Sequence, residues 1–174
     1  MAVNNGFTSW GLIMSQKIII DTDPGIDDTM AIFFALNSPE IHVLGLTTVY
    51  GNTSTERGTI NALRILEIAS RTDIPVYPGA IKPLESEYTG KGEFVHGHDG
   101  QGNTNLELPK TKAGTGSAVD FLERTIKENP GEVTLVPIGP LTNIAQLLLN
   151  NPKIAKDIKE IILMGGNALS QGNA

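Results

Sequence analysis

At 174 residues, 40% of them apolar and 18% charged, and with a mean hydropathy of −0.04, the chain has the composition of a globular domain that can bury a sizeable core. It carries 13 basic against 19 acidic residues and no run of five like charges, which argues against a surface that tracks a phosphate backbone and so against a nucleic-acid partner. The absence of cysteine excludes a disulfide framework and a thiolate zinc site and fits a reduced, cytoplasmic setting, and no apolar stretch approaches the length of a membrane span.

In chain order, residues 1–16 come first. Phe7, Trp10, Leu12, Ile13 and Met14 are apolar, but no Lys or Arg precedes them and no small-residue cleavage site follows, so they do not read as a secretory signal. Met14 stands just ahead of Lys17 and the first strand pattern. Residues 1–16 are therefore expected to be a disordered or non-native extension without function, and 17–174 to form part of one domain.

Short apolar runs at 17–21, 41–49, 75–77, 132–137 and 160–164 read as strands. They lack two-residue alternation, as expected where both faces of a parallel strand are covered. Helical patterns lie between them. The first, at 27–37, offers Met30, Phe33, Phe34 and Leu36 and stops at Ser38-Pro39. The second, at 53–70, opens on a capping-box pattern from Thr53 to Glu56 and carries Ile60, Leu63, Leu66 and Ala69. A third occupies 117–129, a fourth 140–149 with Pro140 in its first turn, and a short helix follows Pro152. This alternation predicts an α/β, Rossmann-like fold with a mostly parallel sheet and helices on both faces. Residues 78–115 are glycine-rich and aperiodic, which marks a functional loop or a mobile segment. The chain ends in a glycine-rich stretch just after its last strand pattern, so the sheet reads as cut short.

The chemistry concentrates in Asp21-Thr22-Asp23-Pro24-Gly25-Ile26-Asp27-Asp28, where four carboxylates follow a buried strand and enter a helix. Ligands bind at the carboxyl ends of parallel strands. Clustered carboxylates repel and raise one another's pKa unless positive charge intervenes. A helix N-terminus relieves part of this, ~0.3–1 kcal/mol per exposed charge, and a hard divalent cation relieves more; oxygen-only donors select calcium or magnesium. The plainer alternative is that Asp27 and Asp28 cap the helix while Asp21 and Asp23 are solvated. Capping accounts for one or two carboxylates, not four.

The cluster resembles the D-x-D-P-G-x-D-D signature of the inosine–uridine nucleoside hydrolase family. The resemblance continues through Thr47-Thr48-Val49-Tyr50-Gly51-Asn52, His96-Gly97-His98-Asp99-Gly100, Gly139-Pro140-Leu141-Thr142-Asn143 and Met164-Gly165-Gly166. It implies a calcium-dependent hydrolase that cleaves the N-glycosidic bond of ribonucleosides to ribose and free base in nucleoside salvage. By position it implies that Asp23 is the general base on a calcium-bound water and also a calcium ligand. Asp28 would bind calcium through both oxygens, the Ile138 backbone carbonyl would be a further ligand, and Asp21 would support the metal. Asp27, Asn52 and Asn173 would hold the ribose, and His96 would lie close to the substrate. Such a site matches the chemistry, since an oxocarbenium-like ribosyl cation needs an activated water and firm bonds to the ribose hydroxyls.

His98 and Asp99 are expected to stabilise the loop, His42 to be structural, Tyr50 to pack or line the pocket, and Thr142 and Asn143 to support the turn after Ile138. Relatives of the family are nearly twice as long. Their later half brings a Glu-Phe-Asn stretch, another aspartate ligand and the groups that activate the leaving base, and they form homo-oligomers. Three readings follow: a nucleoside hydrolase, for which a second chain could supply the missing half; an inactive chain that keeps a metal- or nucleoside-binding fold; and a magnesium phosphohydrolase of the haloacid dehalogenase type. Gly25, where that last type has threonine or valine, and the Asp27-Asp28 pair speak against the third.

Overall fold

The structure is a computed structural model that describes residues 15–88, 90, 92–167 and 169–171. Most of the extension read at 1–16 thus lies outside the described residues, and Gln16 already belongs to the first strand. Strand β1 (Gln16–Thr22) leads into helix α1 (Ile26–Leu36), then β2 (Ile41–Thr48), α2 (Thr55–Ile68) and β3 (Val76–Pro78). A single helical turn, α3 (Glu93–His96), precedes α4 (Ala118–Glu128), β4 (Val133–Pro137), α5 (Thr142–Asn150), a 3-10 turn (Pro152–Lys156) and β5 (Glu160–Ile161).

All strand pairs are parallel, in the order β3-β2-β1-β4-β5. The three consecutive isoleucines of β1 show why alternation is absent. Ile18 and Ile20 enter one core with Ile32 and Ala35 of α1 and Leu63, Ile65 and Leu66 of α2. Ile19, on the opposite face, enters a second core with Phe121, Leu122 and Ile126 of α4 and Ile144 and Leu147 of α5. All three isoleucines are buried, because both faces of the central strand are covered at this level. Because β2 and β4 leave β1 in opposite directions, a crevice opens at the carboxyl ends of β1 and β4, where such sheets bind ligands.

Several details differ from the sequence reading. The α2 cap is Ser54, whose hydroxyl accepts the Arg57 N–H at 3.2 Å, one residue past the expected Thr53. On α1, Ile32 and Ala35 face inward while Met30 and Phe34 are exposed. Helix α5 starts at Thr142, after Pro140 and Leu141. β5 is assigned to only two residues, yet Ile162 and Met164 still donate to Leu135 and Pro137 of β4 at 2.9 and 3.0 Å, so the segment follows β4 along one edge. Among the described residues, no helix is long and apolar enough to cross a membrane.

Candidate functional site

β1 delivers Asp21 to the carboxyl end of the sheet, opposite Thr47 of β2 and, at the last paired level with β4, Pro137. Its carboxylate is 1% exposed. Oδ1 accepts from the Thr47 hydroxyl at 2.5 Å and from Asn143 Nδ2 at 2.7 Å, whereas Oδ2 is buried with no partner among the described residues. Burial pushes Asp21 up to about 6, against the pull of Asn143 and Thr47.

Asp23 lies two residues on, where the strand has ended and the Pro24-Gly25 turn begins. It is 5% exposed, and its Oδ2 accepts the Asn52 N–H at 2.7 Å. Two glycines make room for it: a Cβ on Gly51 would overlap Oδ2, and one on Gly139 would stand 2.6 Å from Oδ1. Burial, then repulsion from Asp28, pushes Asp23 up to about 8. Asp28, in the first turn of α1, is buried with Oδ1 taking the Thr22 hydroxyl at 2.6 Å and Oδ2 taking Asn52 Nδ2 at 2.9 Å and Gly25 N at 3.3 Å. Asn52 therefore bridges the two carboxylates, backbone to one and side chain to the other. The solvated-carboxylate alternative does not hold for Asp21 and Asp23, because the ends of β1, β2 and β4 enclose both.

Asp27 stays open, its side chain 69% exposed, with Oδ1 3.8 Å from His96 Nδ1. His96 is buried, and its Nδ1 accepts the Ile26 N–H at 3.2 Å. With Nδ1 as acceptor, the neutral ring carries its proton on Nε2. Asp23, Asp27, Asp28, Asn52, His96 and Ile138 all line one cleft of about 1110 Å³, whose apolar wall includes Val95, Leu141, Leu163 and Met164. Asp21 sits beneath this cleft rather than in its lining. Asn173 lies outside the described residues.

The donor chemistry suits a hard cation. Oxygens converge, one buried carboxylate oxygen has no partner, and no Lys or Arg pairs with the four aspartates among the described residues. The donor number falls short: no three His, Cys, Asp or Glu side chains among the described residues form a metal cage. The residues present thus fit part of such a site.

Sequence reading missed the donors beneath it. Asn143, expected to support a turn, reaches across the sheet: Nδ2 also donates to the Thr48 carbonyl at 3.0 Å, and Oδ1 accepts the Ala80 N–H at 2.8 Å. Thr22 and Thr47 orient carboxylates, and a hydroxyl beside each acidic strand end was the available signal. Tyr50 is buried, edge-on to Tyr88 at 5.1 Å and 2.8 Å from the Thr142 hydroxyl, so it packs outside the cleft lining. Asp99 stabilises its loop as expected, accepting from the backbone of Gln101, Asn103 and Asn105.

The profile of the family described as inosine-uridine preferring nucleoside hydrolase matches residues 18–174. Uridine nucleosidase 1 of Arabidopsis thaliana is 45% identical over 171 residues, 97% of this chain and 51% of the relative. A solved plant nucleoside hydrolase superposes with a TM-score of 0.84 at 50% identity, over 87% of this chain and 48% of that one. A purine-preferring ribonucleoside hydrolase from Gardnerella vaginalis gives 0.87 at 38% identity, over 91% and 51%. The chain spans about half the length of the relatives it matches. On this match, and with the acidic turn seated at the crevice of a parallel sheet, the chain belongs to the inosine–uridine preferring nucleoside hydrolase family.

Proposed function

We propose that this chain contributes the acidic half of a site that hydrolyses the N-glycosidic bond of ribonucleosides to ribose and free base, with calcium as cofactor. The observation that carries the reading is the pair Asp23 and Asp28, buried together at the floor of an open cleft and bridged by Asn52. Asp23, Asp28 and the Ile138 carbonyl would hold the ion, with Asp21 supporting them from below. Calcium, when bound, supplies positive charge that acidifies water and offsets the repulsion between the carboxylates.

The rest is work for the chain's own atoms. Asp23 Oδ2 is occupied by the Asn52 N–H, which leaves Oδ1 as the oxygen that takes the proton of the attacking water. That water's oxygen joins C1′ of the ribose as the bond from C1′ to the base nitrogen breaks, and the electron pair leaves with the base. Asp27, exposed at the cleft, accepts from a ribose hydroxyl. Asn52, His96 through its Nε2–H, and Asn173 complete the contacts to the sugar. The apolar wall at Val95 and Leu163 excludes water from the flat, partly apolar base. Uridine is the substrate to try first, given the name of the Arabidopsis relative. Homo-oligomer assembly, completion of the site by a further stretch of polypeptide and a cytoplasmic salvage role belong to the same proposal.

A second reading is favoured by the donor number. Calcium takes about 6–8 oxygens, more than these residues provide, so the chain by itself would bind metal or nucleoside without turnover. Incubating purified protein with uridine, with calcium and then with chelator, separates the two. Ribose released only with calcium supports hydrolysis; nucleoside or calcium bound without release supports the second reading. No binding and no release would sink both.

A further inference from the structure

The loop that bears His96 and the turn that bears Asp23 meet over one side chain of helix α2. Asn61 is fully buried in the middle of that helix, where a polar group is costly unless its hydrogen bonds are made. Its Nδ2 donates to the Pro24 carbonyl at 3.2 Å and to the Asp99 carbonyl at 2.9 Å. Neither acceptor is on its own helix, and each belongs to one of the two segments that form the cleft. Its Oδ1 is 3.4 Å from Arg64 Nη1, one turn further along. Arg64 is itself buried, donating through Nε to the Glu107 carbonyl at 2.7 Å and through Nη2 to the Leu106 carbonyl at 2.5 Å.

We propose that Asn61 is a positioning residue that sets His96 against the aspartate turn, with Arg64 fixing the direction of its amide. The surroundings are shaped to this contact. Gly100 has φ +75°, and a Cβ there would stand 2.9 Å from Asn61 Nδ2. Gly58, three residues before Asn61, brings α2 so close to the turn that a Cβ would lie 3.2 Å from Pro24 Cδ. His96 is then held from two sides, by the Ile26 N–H on its ring and by the strut under Asp99. An apolar residue at position 61 would fill the core equally well but would leave two buried carbonyls unpaired and the His96 loop free to move away from Ile26.

The His96 tautomer reports this geometry independently of turnover, so it separates this proposal from the functional reading on which its catalytic consequence rests. Long-range proton–nitrogen NMR of the wild type at alkaline pH is expected to show His96 as a single neutral form with its proton on Nε2. Asn61→Leu keeps bulk and loses all polarity; Asn61→Asp keeps size and the Arg64 contact but cannot donate. Both are expected to mix the His96 tautomers, whereas Leu66→Ala, a core truncation on the same helix, lowers Tm and leaves the tautomer intact. In the cleavage assay both Asn61 variants should lose up to about 100-fold in kcat, with a smaller change in KM, as expected for a shift of about 1 Å. Wild-type tautomers in both Asn61 variants would overturn the proposal, as would a mixed tautomer in the wild type. If neither variant folds, hydrogen exchange at the wild-type Asn61 carboxamide decides. Protection equal to that of the α2 backbone supports the strut, and exchange at the rate of a free amide overturns it.

Discussion

The acidic turn after β1 and the glycine-rich stretch above it both depend on buried aspartates, with opposite consequences. In the turn, donors are too few for the carboxylates gathered there, so burial drives Asp23 up to about 8 and Asp21 up to about 6. In the stretch, burial also works to raise Asp99, but the N–H groups of Asn105, Gln101 and Asn103 outweigh it and hold that carboxyl below its ordinary value. One region gathers carboxylates whose ionised form the protein alone stabilises poorly, which the proposed cation would offset. The other uses a charge to impose shape on a segment without periodicity. The same residue type is strained in one place and structural in the other, and the number of donors facing it makes the difference.

The largest test concerns turnover. Asp23→Ala should lower uridine cleavage by about 10²–10⁴-fold, the usual worth of a positioned general base; unchanged ribose release would remove Asp23 from the mechanism. Next comes the pH response of the metal-free protein. Folded Asp23 keeps its proton up to about 8, while the unfolded chain releases it near 3.8. The folded state therefore binds more protons in that window, and stability falls as pH rises through it. Asp21 adds to the fall between 3.8 and about 6. Urea midpoints measured across this range should decline, Asp23→Asn should flatten the upper part, and added calcium should restore the alkaline loss. A flat wild-type profile would break the contrast between the regions.

Asp99→Ala should cost about 1.5–3 kcal/mol at neutral pH, because it removes the charged acceptor shared by three part-buried backbone N–H groups. The sign is opposite here. A depressed carboxyl stabilises above its unfolded pKa, and that contribution is lost as pH falls through the folded value. The gap between Asp99→Ala and wild type, read from urea unfolding, should therefore close in acid. Smallest is Ser54→Ala, which removes the α2 cap and should cost about 1 kcal/mol. Since α2 touches both regions through Gly58 and Asn61, thermal melts should show it lowering both together, without a change in pH slope.

Much of this was legible in the sequence. Alternating strand and helix patterns indicated a parallel sheet, and Asp23, Asp27 and Asp28, with Asn52, His96 and Ile138, were marked as residues that do gather at one cleft, with Asp21 beneath it. What escaped was support from a distance. Asn143 bonds to Asp21 across 122 positions, and in sequence it looks like any turn asparagine. Asn61 and Arg64 interrupt an apolar helix pattern, and periodicity treats such interruptions as exposed positions when here they are buried. The α1 pattern misled for a related reason: Met30 and Phe34 fit the spacing, but the face turned to the core is set by the position of the sheet.

By itself the sequence determined the local matter: where strands and helices run, and that carboxylates crowd the step from β1 to α1, because hydrophobic periodicity and covalent neighbourhood act over a few residues. Only the tertiary structure decided that β4 lies beside β1, that Gly51 and Gly139 close on Asp23, and that Asn61, Asn52 and Asn143 find their acceptors. Those contacts join segments tens of residues apart. Their geometry follows from the order in which strands pair and from the core that packs each face, neither of which a local pattern contains.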